Sequence, residues 1–265
     1  MCELLGISSD TPNDYKNILR NFFAHSSDNP HGWGIMFEKN ALGTGSHKSN
    51  YKTEIFKEPV NAQDSSRLNK IIDDMENQKN LMAHIRYATV GSIKYENCHP
   101  YTATDSSGRE WTMIHNGTIY SGNVISEFSK VQKGDTDSER IFLCMLSRIN
   151  KAISESTENL SARHRFDIID TLMHDLSTRN KLNIMIYDGE LLYVHKNMKN
   201  TLSFKRQDNG IILATKPLDD EGWMPLPMTQ LLAFKAGKLV YEGTNHGNAF
   251  VPALETITQY AAMNI

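Results

Sequence analysis

Four short segments of the sequence contain residue types that could carry out chemistry together. The first is Cys2, a thiol at the second position of the chain. The other three are polar stretches at residues 84–91, 115–117 and 134–139, placed where strand-like apolar runs end or a helix begins. A nucleophile, donors for an oxyanion and charged groups for an amino-acid-like substrate are what acyl transfer from an amide requires.

The thiol of Cys2 could attack the carbonyl carbon of such an amide. Removal of Met1 would expose a free α-amino group beside the thiol, and a group of this kind, with a pKa of about 7.7–8.0, can act as a general base at neutral pH. The Asn116 side-chain amide and the Gly117 backbone N–H can both donate to the oxyanion if they lie in a tight turn. The alternatives are a chance cysteine at position 2 and an ordinary hairpin turn at Asn116-Gly117.

Two charged residues could hold a substrate that carries a carboxylate and an ammonium group. Arg86 offers a planar guanidinium fork for the carboxylate, and Asp137 offers an acceptor for the ammonium. Each has a simpler interpretation, Arg86 as a surface cation and Asp137 as a helix-capping residue. The joint occurrence of the four segments favours the chemical interpretation, because chance produces one of them far more often than all of them.

The remaining cysteines and the histidines do not indicate a metal site. The cysteines at positions 2, 98 and 144 are odd in number and lack C-x-x-C spacing, which argues against a disulfide framework or a zinc ribbon. His84, His99 and His115 could converge, but they form no H-E-x-x-H or paired Cys/His pattern. We expect them to brace the pocket by hydrogen bonds, and we predict no metal and no cofactor.

Hydrophobic periodicity predicts one layered α+β domain over residues 1–265, with a tail from Asn245 that shows no clear pattern. Thr11-Pro12-Asn13 predicts the start of a helix over residues 14–23. Further helices are predicted over 64–77, from 136 onward and over 165–178; strands are predicted over 34–38, 51–57, 81–88, 111–115, 182–187, 191–195, 211–214, 231–234 and 238–241. A hairpin loop or flexible excursion is predicted over residues 43–50.

Composition excludes several classes of partner. The 28 Lys and Arg residues face 31 Asp and Glu residues, and the net charge of -3 leaves no cationic excess for nucleic acid or an anionic membrane surface. No apolar run approaches the roughly 20 residues of a membrane span. The first residues show neither a secretory signal nor a transit peptide, so we expect a cytoplasmic protein.

The ordered set of motifs resembles the class II glutamine amidotransferases, whose glutaminase domain is an N-terminal-nucleophile hydrolase. The resemblance covers nearly the whole chain and is closest to the short stand-alone, YafJ-like members. It rests on the initial Met-Cys, the G-W-G-I segment at 32–35, H-x-R-x-A-T-x-G at 84–91, N-C-H-P-Y at 97–101, His115-Asn116-Gly117 and the helix start at 136–139.

The resemblance implies a fold and a set of roles. The fold would be a four-layer αββα sandwich of two antiparallel sheets, with Cys2 at the end of a central strand. By position, Cys2 would be the nucleophile, Asn116 and Gly117 the oxyanion hole, Arg86 and Thr89 the site for the substrate carboxylate, and Asp137 the site for its α-ammonium. The chain departs from the family pattern at His31, Tyr87 and Val90. The resemblance therefore leaves the rim of the pocket open, and at His31 a change in the pocket and a change that only faces solvent are equally compatible.

Three hypotheses for function follow. The first is hydrolysis of the glutamine side-chain amide through a γ-glutamyl thioester on Cys2, which releases glutamate and ammonia. The second is hydrolysis of γ-glutamyl bonds in a peptide or thiol metabolite, and the third is a non-catalytic amino-acid-binding module. The expected partner is glutamine or a γ-glutamyl compound. A separate ammonia-accepting subunit is also expected if ammonia is transferred, because 265 residues leave no room for an acceptor domain; a homo-oligomer is compatible with the sequence.

Overall fold

Two antiparallel β-sheets packed face to face form the centre of the protein, as a computed structural model of residues 1–40 and 51–252 describes it. The loop predicted over residues 43–50 lies outside the described residues, as does the tail after residue 252. The helices are α1 (Lys16–Ala24), α2 (Ser66–Asp74), α3 (Asp137–Glu155) and α4 (Ala162–Ser177). None of the helices within the described ranges has the length and apolar character needed to cross a membrane.

The thirteen strands of the described chain divide between the sheets as follows. They are β1 (Glu3–Asn13), β2 (Trp33–Asn40), β3 (Tyr51–Glu58), β4 (Gln78–Ile85), β5 (Tyr101–Thr104), β6 (Glu110–Thr118), β7 (Lys181–Tyr187), β8 (Leu192–Lys196), β9 (Ser203–Gln207), β10 (Gly210–Ala214), β11 (Trp223–Pro225), β12 (Gln230–Lys235) and β13 (Lys238–Glu242). The larger sheet has the order β11-β9-β10-β1-β4-β2-β3, and the smaller has β13-β12-β8-β7-β6-β5. The first strand of the chain is therefore the middle strand of the larger sheet.

Three apolar layers hold the two sheets and the helices together. Between the sheets, Leu4 and Met82 of the larger sheet belong to one buried cluster with Ile114 and Met185 of the smaller sheet. The helices α1 and α2 pack on the outer face of the larger sheet, and α3 and α4 pack on the outer face of the smaller one. The order helix, sheet, sheet, helix confirms the predicted four-layer αββα sandwich of the N-terminal-nucleophile hydrolase fold.

The predicted helices agree with the structure in number and position, but the first helix starts differently. Strand β1 continues through Thr11-Pro12-Asn13, so these residues are not the helix start. The pairing of β1 with β4 is irregular between Ser8 and Asn13, and proline is tolerated where the ladder is interrupted. The side chain of Asp14 instead accepts a hydrogen bond from the backbone N–H of Lys16, the first residue of α1.

The central layer yields a test of the packing. Ile114 is fully buried between the sheets, so Ile114→Ala should lower the free energy of unfolding by about 2–5 kcal/mol through lost apolar contact and a residual cavity. Val240 on β13 is 41% exposed, and Val240→Ala should change it by no more than about 0.5 kcal/mol. Urea unfolding measures both, and equal effects would contradict the layered core.

Candidate active site

Cys2 lies immediately before β1, in the middle of the larger sheet. The strand is fixed on both sides at this point: Glu3 pairs with Ile85 of β4, and the Thr215 hydroxyl, just after β10, accepts a hydrogen bond from the Leu4 N–H at 2.8 Å. The Cys2 Sγ accepts a hydrogen bond from the Tyr87 N–H at 3.2 Å and lies 3.4 Å from the Tyr87 carbonyl oxygen. The thiol is therefore held by the backbone that follows β4.

Burial and nearby charges shift the pKa values of the Cys2 thiol and the Met1 α-amine. Burial raises the pKa of the Cys2 thiol, while the Tyr87 backbone hydrogen bond and the charges of the terminal amine, Lys181 and Arg86 act in the opposite direction. Burial also lowers the pKa of the Met1 α-amine. The α-amine in this structure belongs to Met1, so its lowered pKa describes the chain with that residue still attached.

Arg86 is buried, with 3% of its surface exposed, so the interpretation as a surface cation is wrong. Its Nη1 donates to the Ser92 carbonyl, and its Nη2 donates to the carbonyls of Val90 and Gly91 at 3.0 and 3.2 Å. The guanidinium therefore organises the loop after β4, on which Thr89 is exposed. In this conformation, a carboxylate that bound to Arg86 would share the guanidinium N–H donors with these three loop carbonyls.

A second set of contacts fastens this loop to the segment that leads into α3. Asn97 donates to the Ser92 carbonyl at 2.8 Å and to the Asp135 carboxylate. The Asp135 carboxylate also accepts from the Ser92 N–H and hydroxyl. Sequence reasoning had assigned no role to Asn97 or Asp135, although both lie inside motifs that it quoted. Their contacts set the position of the loop relative to the helix start.

Asn116 and Gly117 lie inside strand β6, so the alternative of an ordinary hairpin turn is wrong, and the tight turn named as a condition for the two donors is not formed. They pair with Asn183 and Leu182 of β7. A Cβ at position 117 would overlap the carbonyl oxygen of Lys181, so the close approach of the two strands requires glycine. The Asn116 Nδ2 is buried and has no hydrogen-bond partner among the described residues, which leaves this donor available.

Asp137 is the first residue of α3, and Thr136 is the N-cap that accepts from the Glu139 N–H. The Asp137 carboxylate accepts from the Ile119 N–H at 2.7 Å and from the Ser138 N–H at 2.9 Å. Ile119 follows directly after β6, so this contact fastens the helix start to the strand that carries Asn116. The helix start therefore positions the Asp137 carboxylate beside the end of β6. The capping residue is Thr136, not Asp137.

Lys181 is a residue of this site that sequence reasoning missed. It is the first residue of β7, is 5% exposed, and its Nζ lies 3.0 Å from the Asn116 Oδ1 and 3.1 Å from the Met1 Sδ. Burial lowers its pKa to about 8. In the sequence, a lysine just before an apolar run indicates only the end of a strand. Its position beside Asn116 follows from the register of β7 against β6.

The three histidines of the motifs are buried together behind these residues. The His115 Nδ1 lies 2.9 Å from the Ser138 hydroxyl oxygen. His84 and His99 pack ring against ring, with 4.2 Å between centroids, and neither makes a well-formed hydrogen bond through its ring within the described chain. In residues 1–40 and 51–252, no three His, Cys, Asp or Glu side chains are grouped so as to hold a metal ion.

Comparison with known proteins identifies the family. Residues 1–207 match the sequence model of the family described as glutamine amidotransferases class-II. YafJ of Escherichia coli strain K12, which carries the provisional name of a glutamine amidotransferase, is 30% identical over 200 residues, or 74% of this chain and 72% of that protein. The chain belongs to the class II glutamine amidotransferases and is an enzyme of this family.

Two further similarities are to a curated hydrolase and to a solved structure. The γ-glutamyl-hercynylcysteine sulfoxide hydrolase of Mycolicibacterium smegmatis is 23% identical over 161 residues, which are 60% of this chain and 62% of that protein. The solved structure of glutamine phosphoribosylpyrophosphate amidotransferase from B. subtilis is similar in fold, with a TM-score of 0.63 at 16% identity. That similarity covers 90% of this chain and 48% of the other.

The buried histidines predict a loss of stability in acid. Burial lowers the pKa of His84 to about 3 and that of His115 to about 4, so both stay neutral in the folded protein while the unfolded chain takes up protons below about pH 6.5. Each histidine should therefore remove up to about 1.4 kcal/mol of unfolding free energy per pH unit between pH 6.5 and its native pKa.

Urea unfolding from pH 7 to pH 5 measures this slope. The variant His84→Phe keeps a ring against His99 but cannot bind a proton, so its stability should fall less steeply with acid than that of the wild type. Identical slopes in the two proteins would contradict a neutral, buried His84.

Proposed function

We propose that the protein hydrolyses the side-chain amide of glutamine through a γ-glutamyl thioester on Cys2 and releases glutamate and ammonia. The observation that supports this most is the buried Asn116 Nδ2, which has no hydrogen-bond partner in the described part of the chain; Asn116 lies against Lys181, whose charge also acts on Cys2. A donor without a partner costs free energy in a folded protein, and an oxyanion that forms only during reaction would supply the partner.

The first half of the reaction would join Cys2 to the substrate. After removal of Met1, the α-amine of Cys2 takes the thiol proton as the sulfur attacks the amide carbon. The tetrahedral oxyanion accepts hydrogen bonds from the Asn116 Nδ2 and the Gly117 N–H. The amine then gives the proton to the leaving nitrogen, the C–N bond breaks, and ammonia departs from the thioester.

The second half would release glutamate by the reverse use of the same groups. Water adds to the thioester carbon while the α-amine takes its proton, and the same two donors bind the second oxyanion. The C–S bond breaks, the proton returns to sulfur, and glutamate leaves. No cofactor enters either half, because the amine supplies the acid and base chemistry.

Recognition of the glutamyl group would use two opposite charges. Arg86, with Thr89 on the loop that it organises, would hold the α-carboxylate, and Asp137 would hold the α-ammonium. The Asp137 oxygens each accept one backbone N–H already, which fixes their direction and leaves lone pairs for a further donor.

The proposed nucleophile predicts a covalent label at one position. After exposure to an electrophilic glutamine analogue, intact-mass measurement should find a chain without Met1 that carries one adduct, and peptide mapping should place it on Cys2. Cys2→Ala should take no adduct and lose turnover, whereas Cys144→Ala, which changes a buried cysteine of α3, should label normally. An unmodified chain that still carries Met1 would contradict the proposal.

The proposed role of Asp137 predicts a defect in substrate binding. Asp137→Asn preserves the shape of the side chain but removes its charge, so KM for glutamine should rise about 10- to 100-fold, as expected for a lost hydrogen bond between charged groups. The kcat should change less. The exposed Glu127→Gln is the control, and a normal KM in Asp137→Asn would show that the ammonium binds elsewhere.

Hydrolysis of γ-glutamyl bonds in a peptide or thiol metabolite is the second candidate. The similarity to a γ-glutamyl hydrolase favours it, and Arg86 and Asp137 would recognise only the glutamyl group that both kinds of substrate share. Release of glutamate from glutamine and from γ-glutamyl peptides, compared by kcat/KM, separates the two. A preference for the peptides would replace the glutaminase assignment.

A further inference from the structure

The contact between Lys181 and Asn116 links a buried cation to the donor proposed for the oxyanion. The Lys181 Nζ donates to the Asn116 Oδ1 at 3.0 Å, and both residues are almost fully buried. The two side chains come from paired strands, because Thr118 of β6 lies opposite Lys181 in the register. Neither the motifs nor the family resemblance assigns Lys181 a role.

The chemistry of the two groups determines which way the amide of Asn116 points. A lysine ammonium has three donors and no acceptor, so only the oxygen of the amide can face it favourably. The nitrogen must then face the opposite side, and there the Asn116 Nδ2 has no partner among residues 1–40 and 51–252. If Lys181 were absent, rotation of the amide by 180° would carry no such penalty, and the oxygen could point at the developing oxyanion.

The surroundings of the ammonium strengthen this contact. Lys181 is 5% exposed, so water competes little for its hydrogen bonds. Hydrogen bonds from a charged donor are about twice as strong as neutral ones, and a cation on the oxygen polarises the whole amide and makes its N–H a better donor. Burial lowers the pKa of Lys181 to about 8, and the Cys2 thiolate acts in the opposite direction.

We propose that Lys181 is a positioning residue for the oxyanion hole: its ammonium fixes the Asn116 amide with the oxygen inward and Nδ2 toward the reacting carbonyl. The inference rests on the function proposed above, since the hole matters only if Cys2 attacks a carbonyl. Lys181 has no proposed contact with the substrate, so its loss should lower kcat while KM for glutamine stays nearly unchanged. Its charge also opposes the burial that raises the pKa of the Cys2 thiol, and that smaller effect would persist without Asn116.

A double-mutant cycle tests whether Lys181 acts through Asn116. Lys181→Met removes the donor while keeping an unbranched apolar chain, and it should lower kcat about 10²-fold, comparable to the loss of one oxyanion donor. Asn116→Ala should lower kcat by about 10²- to 10³-fold. In the Asn116→Ala background, Lys181→Met should have less than about a three-fold further effect, because the group that it positions is already gone.

Lys196→Met is the matched control. Lys196 is also a buried lysine whose pKa burial lowers to about 8, but its Nζ donates to the carbonyls of Thr201 and Leu202. Its loss should affect stability and leave kcat unchanged. All rates are expressed per active site titrated with the electrophilic glutamine analogue, and Lys181→Leu, which also lacks a donor, repeats the cycle if Lys181→Met does not fold.

The outcomes separate this inference from the proposed function. A drop in kcat for Lys181→Met that vanishes in the Asn116→Ala background supports it. If the wild type turns over and Lys181→Met has an unchanged kcat, the inference alone is overturned. It is also overturned if Lys181→Met lowers kcat by the same factor in the wild type and in the Asn116→Ala background. Absence of wild-type turnover on glutamine and γ-glutamyl peptides overturns the proposed function and the inference with it.

Discussion

The apolar layer between the two sheets is the constraint on which the site depends. Cys2 directly precedes β1 of the larger sheet, and Asn116 lies in β6 of the smaller one, so their relative position is set by how the sheets pack. Leu4 is two residues from Cys2 and Ile114 is two residues from Asn116, and both belong to the buried cluster between the sheets. Close packing of this kind resists small displacements, and it holds a thiol and a donor from distant parts of the chain in one place.

Burial has opposite consequences for the groups of the site. It raises the pKa of the Cys2 thiol, which disfavours the thiolate, and it lowers the pKa of the Met1 α-amine. Lys181 and Arg86 contribute positive charge that partly offsets the first effect. The same low exposure makes each hydrogen bond around Asn116 and Asp137 stronger than it would be in water.

The sequence predicted most of the elements, because their signals are local. Thr136 and the apolar residues after it specify a capped helix, and the layered α+β class follows from the order of strands and helices. The length of β1 could not be predicted, since Pro12 is a turn or helix signal and only pairing with β4 shows that the strand continues. The position of Asn116-Gly117 inside β6 was missed for the same reason: this dipeptide usually marks a turn. Lys181 depends on the register of two strands, which no local pattern contains.

Trapping of the intermediate during turnover would test the central claim most directly. Glutamine is mixed with the wild-type protein, the reaction is stopped with acid within one turnover, and the protein is digested and analysed by mass spectrometry. The account predicts a γ-glutamyl group in thioester linkage on an N-terminal Cys2, lost on treatment with hydroxylamine. Glutamate production with Cys2 unmodified at every quench time, or with the γ-glutamyl group on another residue, would contradict it.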